Sequence, residues 1–245
     1  MIEVHESKNA WVYPTLVTLS LLLLFLWPTG KSITDKQDRR KYWVLQTITL
    51  LCAIVGAKLA MLAGDKGWPL VPLADWREYF VSGRSITGGL ALGFIGAEVT
   101  KPLIGYRLPP NDAFAAKLPF SIALGRVGCL LVGCCRGVPH EGWVTMRYED
   151  GISRWPAQLV EMAFQLGIGA VFLFMVRRRM LPGRMYALYM IVYGGFRFVT
   201  EFMRETPKPI GALSVYQLIS LLLVALGVGS MLSRSRATHG EALTT

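Results

Sequence analysis

Seven long apolar runs, separated by short polar segments, constrain this chain more than any other feature of its sequence. A helix needs about 20 mostly apolar residues to cross the hydrocarbon of a bilayer. In lipid the backbone must satisfy its own hydrogen bonds, so runs of this length predict transmembrane helices. We predict an all-α membrane protein whose single polytopic domain, residues 1–245, has about seven transmembrane helices at 11–27, 42–63, 88–104, 113–135, 157–175, 186–203 and 215–232.

The composition agrees with a membrane protein and argues against a soluble nucleic-acid-binding domain. Hydrophobic residues make up 53% of the chain, and the formal net charge is +10. An average soluble domain is about 45–50% apolar, with its apolar residues in short stretches. A positive charge would suggest nucleic acid as the partner of a soluble protein. Here the basic residues lie between apolar runs, where they meet anionic headgroups, so we expect a membrane and no nucleic acid.

Dense basic clusters predict the orientation of the helices. They lie after the first predicted span, after the fifth, and in the C-terminal tail, and comprise Lys31, Lys36, Arg39, Arg40, Lys41, Arg177, Arg178, Arg179, Arg184, Arg234 and Arg236. The positive-inside rule assigns these clusters and the C-terminus to the cytoplasm. The N-terminus and segments 64–87, 136–156 and 204–214 are then outside. The first of these segments carries Trp68 and Trp76, which predict an arm in the membrane interface.

The sixth predicted span contains three charged residues at helical spacing. Inserting such groups costs roughly 2.5–3.5 kcal/mol each, so they need a partner, water or a charged ligand. Arg197, Glu201 and Arg204 stand at i, i+4 and i+7, which places them on one face of a helix. After pairing, this ladder keeps one net positive charge and suits a phosphate group. A structural ion-pair network between helices is the alternative interpretation.

Arg126 lies within the apolar sequence of the fourth span, between Gly125 and Gly128. Small neighbours allow another helix or a lipid headgroup to approach closely, and the planar fork of a guanidinium fits phosphate oxygens. The fifth span opens with Gln158 and Glu161, one turn apart. Arg126 is therefore either a phosphate ligand or the ion-pair partner of a span carboxylate such as Glu161.

Three cysteines lie at the outer end of the fourth span, at Cys129, Cys134 and Cys135. A thiolate at Cys134, close to an arginine, would be reactive, and His140 is near enough in sequence to act as its base. Packing as small buried side chains, or a disulfide with Cys129, are the alternatives. Because no pair of Cys-x-x-Cys motifs is present, we expect no metal site and assign little weight to quinone-linked thiol chemistry.

Several segments resemble the bacterial prolipoprotein diacylglyceryl transferase family. The strongest are YGGFRFVTEFMRE and the following GALSVYQLIS, and the others are PAQLVEM, GRVGCLLVGCCRG and ITGGLALG, with Asp112 ahead of the fourth span. These segments occur in the family's order and cover residues 50–230. The resemblance implies a seven-helix fold in the bacterial inner membrane, with the N-terminus and the catalytic cavity on the periplasmic side.

Members of that family transfer the diacylglyceryl group of phosphatidylglycerol to the lipobox cysteine of a prolipoprotein, and glycerol phosphate leaves. The resemblance implies that Arg126 and Arg197 converge on one water-accessible pocket that binds the phosphate. Together, pattern and resemblance predict the catalytic residues Arg126, Arg197, Glu201, Cys134 and His140. The predicted substrate-binding residues are Arg204, Gln158, Glu161, Asp112, Thr87, Gly88, Gly89, Gly137 and Gln217, and no cofactor is expected.

The sequence departs from the family pattern at three positions that matter for chemistry. Thr87 stands where the family has a histidine, Cys129 replaces an asparagine, and Cys134 replaces an acidic residue. The phosphate-binding half of the site is kept, while the half that activates the acceptor differs. Three functions therefore remain: the family's reaction with a periplasmic protein acceptor, transfer of phosphoglycerol to an acceptor such as a glycan, and lipid binding without catalysis.

Overall fold

A computed structural model describes residues 2–4, 11–26, 35–66, 85–106, 112–209 and 211–242. Over these residues the chain forms seven α-helices, one in each predicted span: α1 Val12–Leu26, α2 Lys36–Met61, α3 Ile86–Leu103, α4 Asp112–Val132, α5 Ala157–Arg177, α6 Met185–Thr200 and α7 Val215–Ala242. Three two-residue strands accompany them: β1 Ile2–Glu3, β2 Met146–Arg147 and β3 Ser153–Arg154. The prediction of seven helices is confirmed. The predicted interfacial arm at 64–87 lies largely outside the described residues.

Four helical stretches in the described part of the chain are long and apolar enough to cross a membrane: Lys36–Gly64, Asp112–Val132, Ala157–Arg177 and Val215–Arg234. Many of their large apolar side chains face outward, for example Leu51, Val171 and Leu222, which are about half exposed. In water such exposure would be unfavourable, whereas lipid tails solvate these side chains. The chain is therefore a multi-pass membrane protein.

The described residues divide into two compact units. The first unit comprises Met1–Gly30, Asn111–Tyr186 and Phe202–Glu205, and contains α1, α4, α5 and the three strands. Here α4 packs against both α1 and α5. The hydroxyl of Ser121 in α4 donates to the carbonyl oxygen of Ser20 in α1 over 2.6 Å, which satisfies a polar group within an apolar contact.

A small polar sheet follows α4 in the first unit. Strand β1 pairs in parallel with β2, and β2 pairs antiparallel with β3. Val4, Met146 and Tyr148 form a buried cluster beneath this sheet and pack against Leu130 of α4 and Leu159 of α5. The sheet is thereby attached to the same ends of α4 and α5 that carry the polar residues of interest.

The second unit contains α2, α3, α7 and most of α6. Glycine allows its helices to pack closely. A Cβ on either Gly56 of α2 or Gly88 of α3 would overlap the carbonyl oxygen of the other glycine, and a Cβ on Gly89 would lie 3.2 Å from the carbonyl oxygen of Ala53. The Gly-Gly pair of ITGGLALG therefore has a packing reason, because only glycine permits this helix separation.

We predict that Gly88→Ala destabilises the protein by about 1–3 kcal/mol, because the added methyl group overlaps α2. Gly229→Ala in α7 is the matched control, since its Cβ meets nothing within 4 Å. Alanine favours helices by about 1 kcal/mol over glycine, so the control should be neutral or stabilised. Apparent Tm in detergent micelles measures both. Equal shifts in the two variants would contradict the close α2–α3 packing.

Candidate functional site

A buried ion-pair cluster occupies the first unit, where two arginines share one carboxylate. Nη2 of Arg126 on α4 lies 2.7 Å from both carboxylate oxygens of Glu161 on α5. Nη1 of Arg204 lies 3.9 Å from the same carboxylate. All three side chains are at least nine-tenths buried. Together they carry one net positive charge, so the cluster is electrostatically suited to an anion.

Arg204 reaches this cluster because α6 does not continue. The α-helix ends at Thr200, and a 3₁₀ turn covers Glu201–Met203. The 3₁₀ turn advances about 120° per residue rather than 100°, so Arg204 leaves the face on which the i, i+4, i+7 spacing would place it. An isolated bridge with Gly137 and the bond from Val138 N–H to the Met203 carbonyl oxygen, 3.1 Å, fix its backbone. The structure shows the Arg197–Glu201 pair of the predicted ladder and brings Arg204 to Glu161 as well.

Gln158 connects the start of α5 to the turn after α4. The Tyr148 hydroxyl donates to Oε1 of Gln158 over 2.9 Å, and Nε2 of Gln158 donates to the Cys134 carbonyl oxygen over 2.6 Å. Both groups of this buried amide are thus satisfied, which is what a polar group inside a membrane domain requires. Gln158 has a structural role in holding the Cys134 turn, and its predicted contact with substrate stays a prediction.

In the loop between α4 and α5, two guanidinium groups approach the ring of Tyr148. Cζ of Arg136 lies 4.8 Å and Cζ of Arg154 lies 5.7 Å from the ring centroid. Both arginines also bind Asp150, over 3.0 and 2.6 Å. The Ile152 N–H and, to a lesser extent, these guanidiniums hold the pKa of the Asp150 carboxyl below its ordinary value. Charge and aromatic contact thus hold the polar loop together.

The three cysteines after α4 come together in a helix C-terminal motif. Cys134 N–H donates to the Cys129 carbonyl oxygen over 3.1 Å, and Gly133 N–H donates to that of Leu130 over 3.2 Å. These two bonds, with Gly133 at φ +67°, form a Schellman motif. The motif folds the chain back on the last turn of the helix, so Cys134, beyond the helix end, lies against Cys129, within that last turn. With Cys135 they form a cluster whose sulfur atoms all lie within 4.8 Å of one another.

The thiol cluster adjoins the ion-pair cluster. Nη1 of Arg126 lies 3.8 Å from the sulfur of Cys129, one turn along α4. Cys129 is buried, whereas Cys134 and Cys135 are partly exposed. The sequence signal for this proximity was Cys-x-x-x-Gly-Cys, in which glycine permits the left-handed residue that ends the helix. Spacing rules for cysteine ligands did not detect it.

In the second unit, Glu201 is the centre of another buried polar group. Arg197 lies 2.5 Å from its Oε2, while the hydroxyls of Thr206 and Ser214 donate to Oε1 over 2.8 and 3.2 Å. Ser214 also caps α7: it exchanges hydrogen bonds with Gln217, whose Oε1 accepts from the Ser214 N–H over 2.8 Å. This capping box gives Gln217 a structural role. Thr206 and Ser214 were missed, although Ser-x-x-Gln is a recognisable helix start.

The remaining predicted residues have identifiable local contacts. The Asp112 carboxylate begins α4 and accepts from the N–H groups of Gly183 and Met185, over 2.5 and 3.3 Å, so it fixes the turn before α6. The Thr87 hydroxyl lies 3.0 Å from that of Ser85, which caps α3. A Cβ on Gly137 would overlap the Trp155 carbonyl oxygen. Their predicted roles in substrate binding stay predictions.

His140 is held by the polar loop. The backbone N–H of His140 donates to the Ser153 carbonyl oxygen over 3.0 Å. The imidazole and the Trp155 ring pack edge to face, with their centroids 5.4 Å apart. The predicted role of His140 as a base for Cys134 stays a prediction. So does the convergence of Arg126 and Arg197, because these two arginines belong to different units.

The helices and the charged groups within them define the class as a multi-pass membrane protein with buried charged clusters. Comparison with known proteins identifies the family. The sequence model of the prolipoprotein diacylglyceryl transferase family matches residues 10–233, and the chain belongs to this family.

Curated relatives carry the same description. A phosphatidylglycerol–prolipoprotein diacylglyceryl transferase of Cupriavidus necator is 29% identical over 265 residues, covering 98% of this chain and 94% of the relative. The corresponding protein of Cupriavidus pinatubonensis is 26% identical with the same coverage. The second such transferase of Clostridium perfringens is 27% identical and covers 74% of each chain. No solved structure matches the chain.

We predict that Glu161→Gln destabilises the protein by about 3–5 kcal/mol, because it leaves two buried guanidiniums without the carboxylate they share. Glu98→Gln is the matched control. Glu98 pairs with Lys101 and Arg234 but is 40% exposed, so its loss should change stability by less than about 1 kcal/mol. The free energy of unfolding in mixed micelles measures both.

A second substitution tests the electrostatic origin of that loss. Arg126→Met in the Glu161→Gln background removes one of the two opposing charges, so it should recover part of the stability. Additive destabilisation in the double variant would show that packing rather than charge dominates at this cluster.

Proposed function

We propose that this protein is a transferase that uses phosphatidylglycerol as donor and moves the diacylglyceryl group to the cysteine of a periplasmic prolipoprotein, or catalyses a closely related reaction. Family membership over most of the chain supports the reaction class. The observation that carries the proposal is the Arg126–Glu161–Arg204 cluster. Two buried arginines on one carboxylate retain a positive charge inside a membrane domain, where an anionic headgroup is the natural ligand.

The charge flow of this reaction needs such a centre. A thiolate sulfur attacks the glyceryl carbon next to the phosphate ester, a C–S bond forms and the C–O bond to phosphate breaks. The electron pair remains on the phosphate oxygen, so the phosphate changes from a monoanion to a dianion. A fixed guanidinium, held by its own counterion before substrate arrives, stabilises that added charge without reorganising.

The orientation proposed from the basic clusters fits this role. With the N-terminus in the periplasm, the fourth helix runs outward and ends at Val132 on the periplasmic side of the inner membrane. Arg126, two turns before that end, would then meet headgroups of the outer leaflet. Arg197, which pairs with Glu201 in the second unit, stays a predicted residue of the phosphate site, as the family resemblance implies.

The departure at the family's histidine position makes a related reaction with another acceptor the second candidate. The residue at the family's histidine position is Thr87, whose hydroxyl pairs with Ser85 and cannot accept a proton near neutral pH. Attack at phosphorus rather than carbon would transfer phosphoglycerol to a hydroxyl, such as that of a glycan, and release diacylglycerol. A lipid-binding protein without catalysis is the third reading, and the products distinguish all three.

We predict that purified protein in phosphatidylglycerol vesicles, given a lipobox peptide, releases one glycerol phosphate for each thioether formed. Arg126→Gln should lower kcat/KM at least about 100-fold, since it removes a donor to the developing charge. Arg234→Gln, which removes an exposed pair with Glu98, should retain activity.

The controls separate catalysis from folding. Arg126→Lys keeps the charge but loses the planar fork, so it should fold and retain only part of the rate. Release of diacylglycerol would assign the protein to phosphoglycerol transfer. Absence of any product, with phosphatidylglycerol binding intact, would contradict an enzymatic function.

A further inference from the structure

We propose that Cys129, Cys134 and Cys135 bind a zinc ion with an open fourth position, which takes the thiol of the acceptor. This inference rests on the proposed function and supplies the group that activates the acceptor.

The spacing suits a single ion. Zinc–thiolate bonds are about 2.3 Å long, so three sulfurs on one zinc lie about 4 Å from one another. In the structure the three sulfur atoms all lie within 4.8 Å. The largest of these separations therefore exceeds the value for a shared ion by about 1 Å at most.

The backbone holds this arrangement without an ion. The Schellman motif fixes Cys129 against Cys134, and Gln158 binds the Cys134 carbonyl oxygen. Cys135 has φ +61°, a left-handed conformation that costs a non-glycine residue about 1–2 kcal/mol. Residues kept in such conformations gather at functional sites, where the surrounding structure over-determines them. Here the strained residue is one of the three thiols.

The neighbouring charge favours a metal thiolate. Zinc with three thiolates carries one net negative charge, and a fourth thiolate makes it two. The guanidinium of Arg126, 3.8 Å from the Cys129 sulfur, offsets part of that charge.

The coordination leaves room for substrate. Within the described part of the chain, the group of possible ligand atoms comprises these three sulfurs, whereas zinc is almost always four-coordinate. Three protein ligands plus an exchangeable position is the arrangement of catalytic rather than structural zinc sites. Cys134 and Cys135 are partly exposed residues beyond the helix end, and the fourth position is the one that we assign to the external thiol.

The chemistry matches what the proposed reaction needs. A thiol that coordinates zinc releases its proton to water and remains bound as a thiolate at neutral pH. That sulfur attacks the glyceryl carbon, the C–S bond forms, the C–O bond breaks, and the electron pair leaves with glycerol phosphate. Zinc stays divalent throughout. The thioether product is a weak ligand and dissociates, which frees the fourth position. A base at the position of Thr87 is then unnecessary.

Metal content and cobalt spectroscopy test the site. The protein purified without chelator should hold about one zinc per chain, and Cys129→Ser, Cys134→Ser and Cys135→Ser should each lose it. Cys52→Ser is the matched control, because Cys52 lies on α2 in the other unit and should leave the zinc in place. Cobalt in the zinc-free protein should show thiolate charge-transfer bands, and lipobox peptide should shift its ligand-field bands by adding a fourth sulfur.

Activity measurements with and without zinc test the metal site separately from the proposed function. Chelation should lower thioether formation at least 10-fold, zinc should restore it, and phosphatidylglycerol binding should be unchanged. Full transferase activity in zinc-free protein would overturn the metal site and leave the proposed function standing. Zinc bound with no thioether formed would preserve the site and refute the transfer reaction.

Two further outcomes count against the zinc site. A disulfide between Cys129 and Cys134 in protein isolated from cells, detected by mass spectrometry, would show that the cluster is oxidised rather than metallated. Retention of zinc in all three serine variants, with apparent Tm unchanged, would show adventitious binding elsewhere.

Discussion

The sharing of Glu161 by Arg126 and Arg204 is the interaction on which the rest of the first unit depends. Buried charge in a membrane domain is unfavourable unless it is paired, and one carboxylate between two guanidiniums pairs with both while leaving the centre cationic. The packing of α4 on α5 provides the arginine and the carboxylate, and the 3₁₀ turn after α6 provides the second arginine. The contact between α4 and α5 and the end of α6 thus act together to set the charge of this cluster.

Helix ends organise most of the polar chemistry in this protein. The Schellman motif after α4 gathers thiols, the capping box before α7 positions a hydroxyl on Glu201, and the Asp112 carboxylate at the start of α4 fixes the turn before α6. Each motif satisfies backbone groups that a helix terminus leaves open. In a bilayer every backbone N–H and C=O group needs a partner within the protein. The residues that cap a helix are therefore already ordered when a ligand binds.

The helices were predictable from the sequence because lipid thickness sets their length, and each predicted span contains one helix. Individual pairs were partly predictable: Arg126–Glu161 and Arg197–Glu201 follow from charge in apolar sequence. The contact of Arg204 with Glu161 was not predicted, because helical spacing was extended through residues that form a 3₁₀ turn. The three cysteines were identified at the end of the fourth span, but their gathering into one cluster was not predicted, because it arises from a left-handed glycine.

Cys135 has a consequence for how this family member changes over time. Glycine at that position would relieve about 1–2 kcal/mol of left-handed strain, offset in part by the greater freedom of glycine in the unfolded chain. Loss of the thiol therefore costs the backbone nothing. Cysteine kept there across a lineage indicates that the sulfur is used, so natural variation at this single codon reports on the cluster.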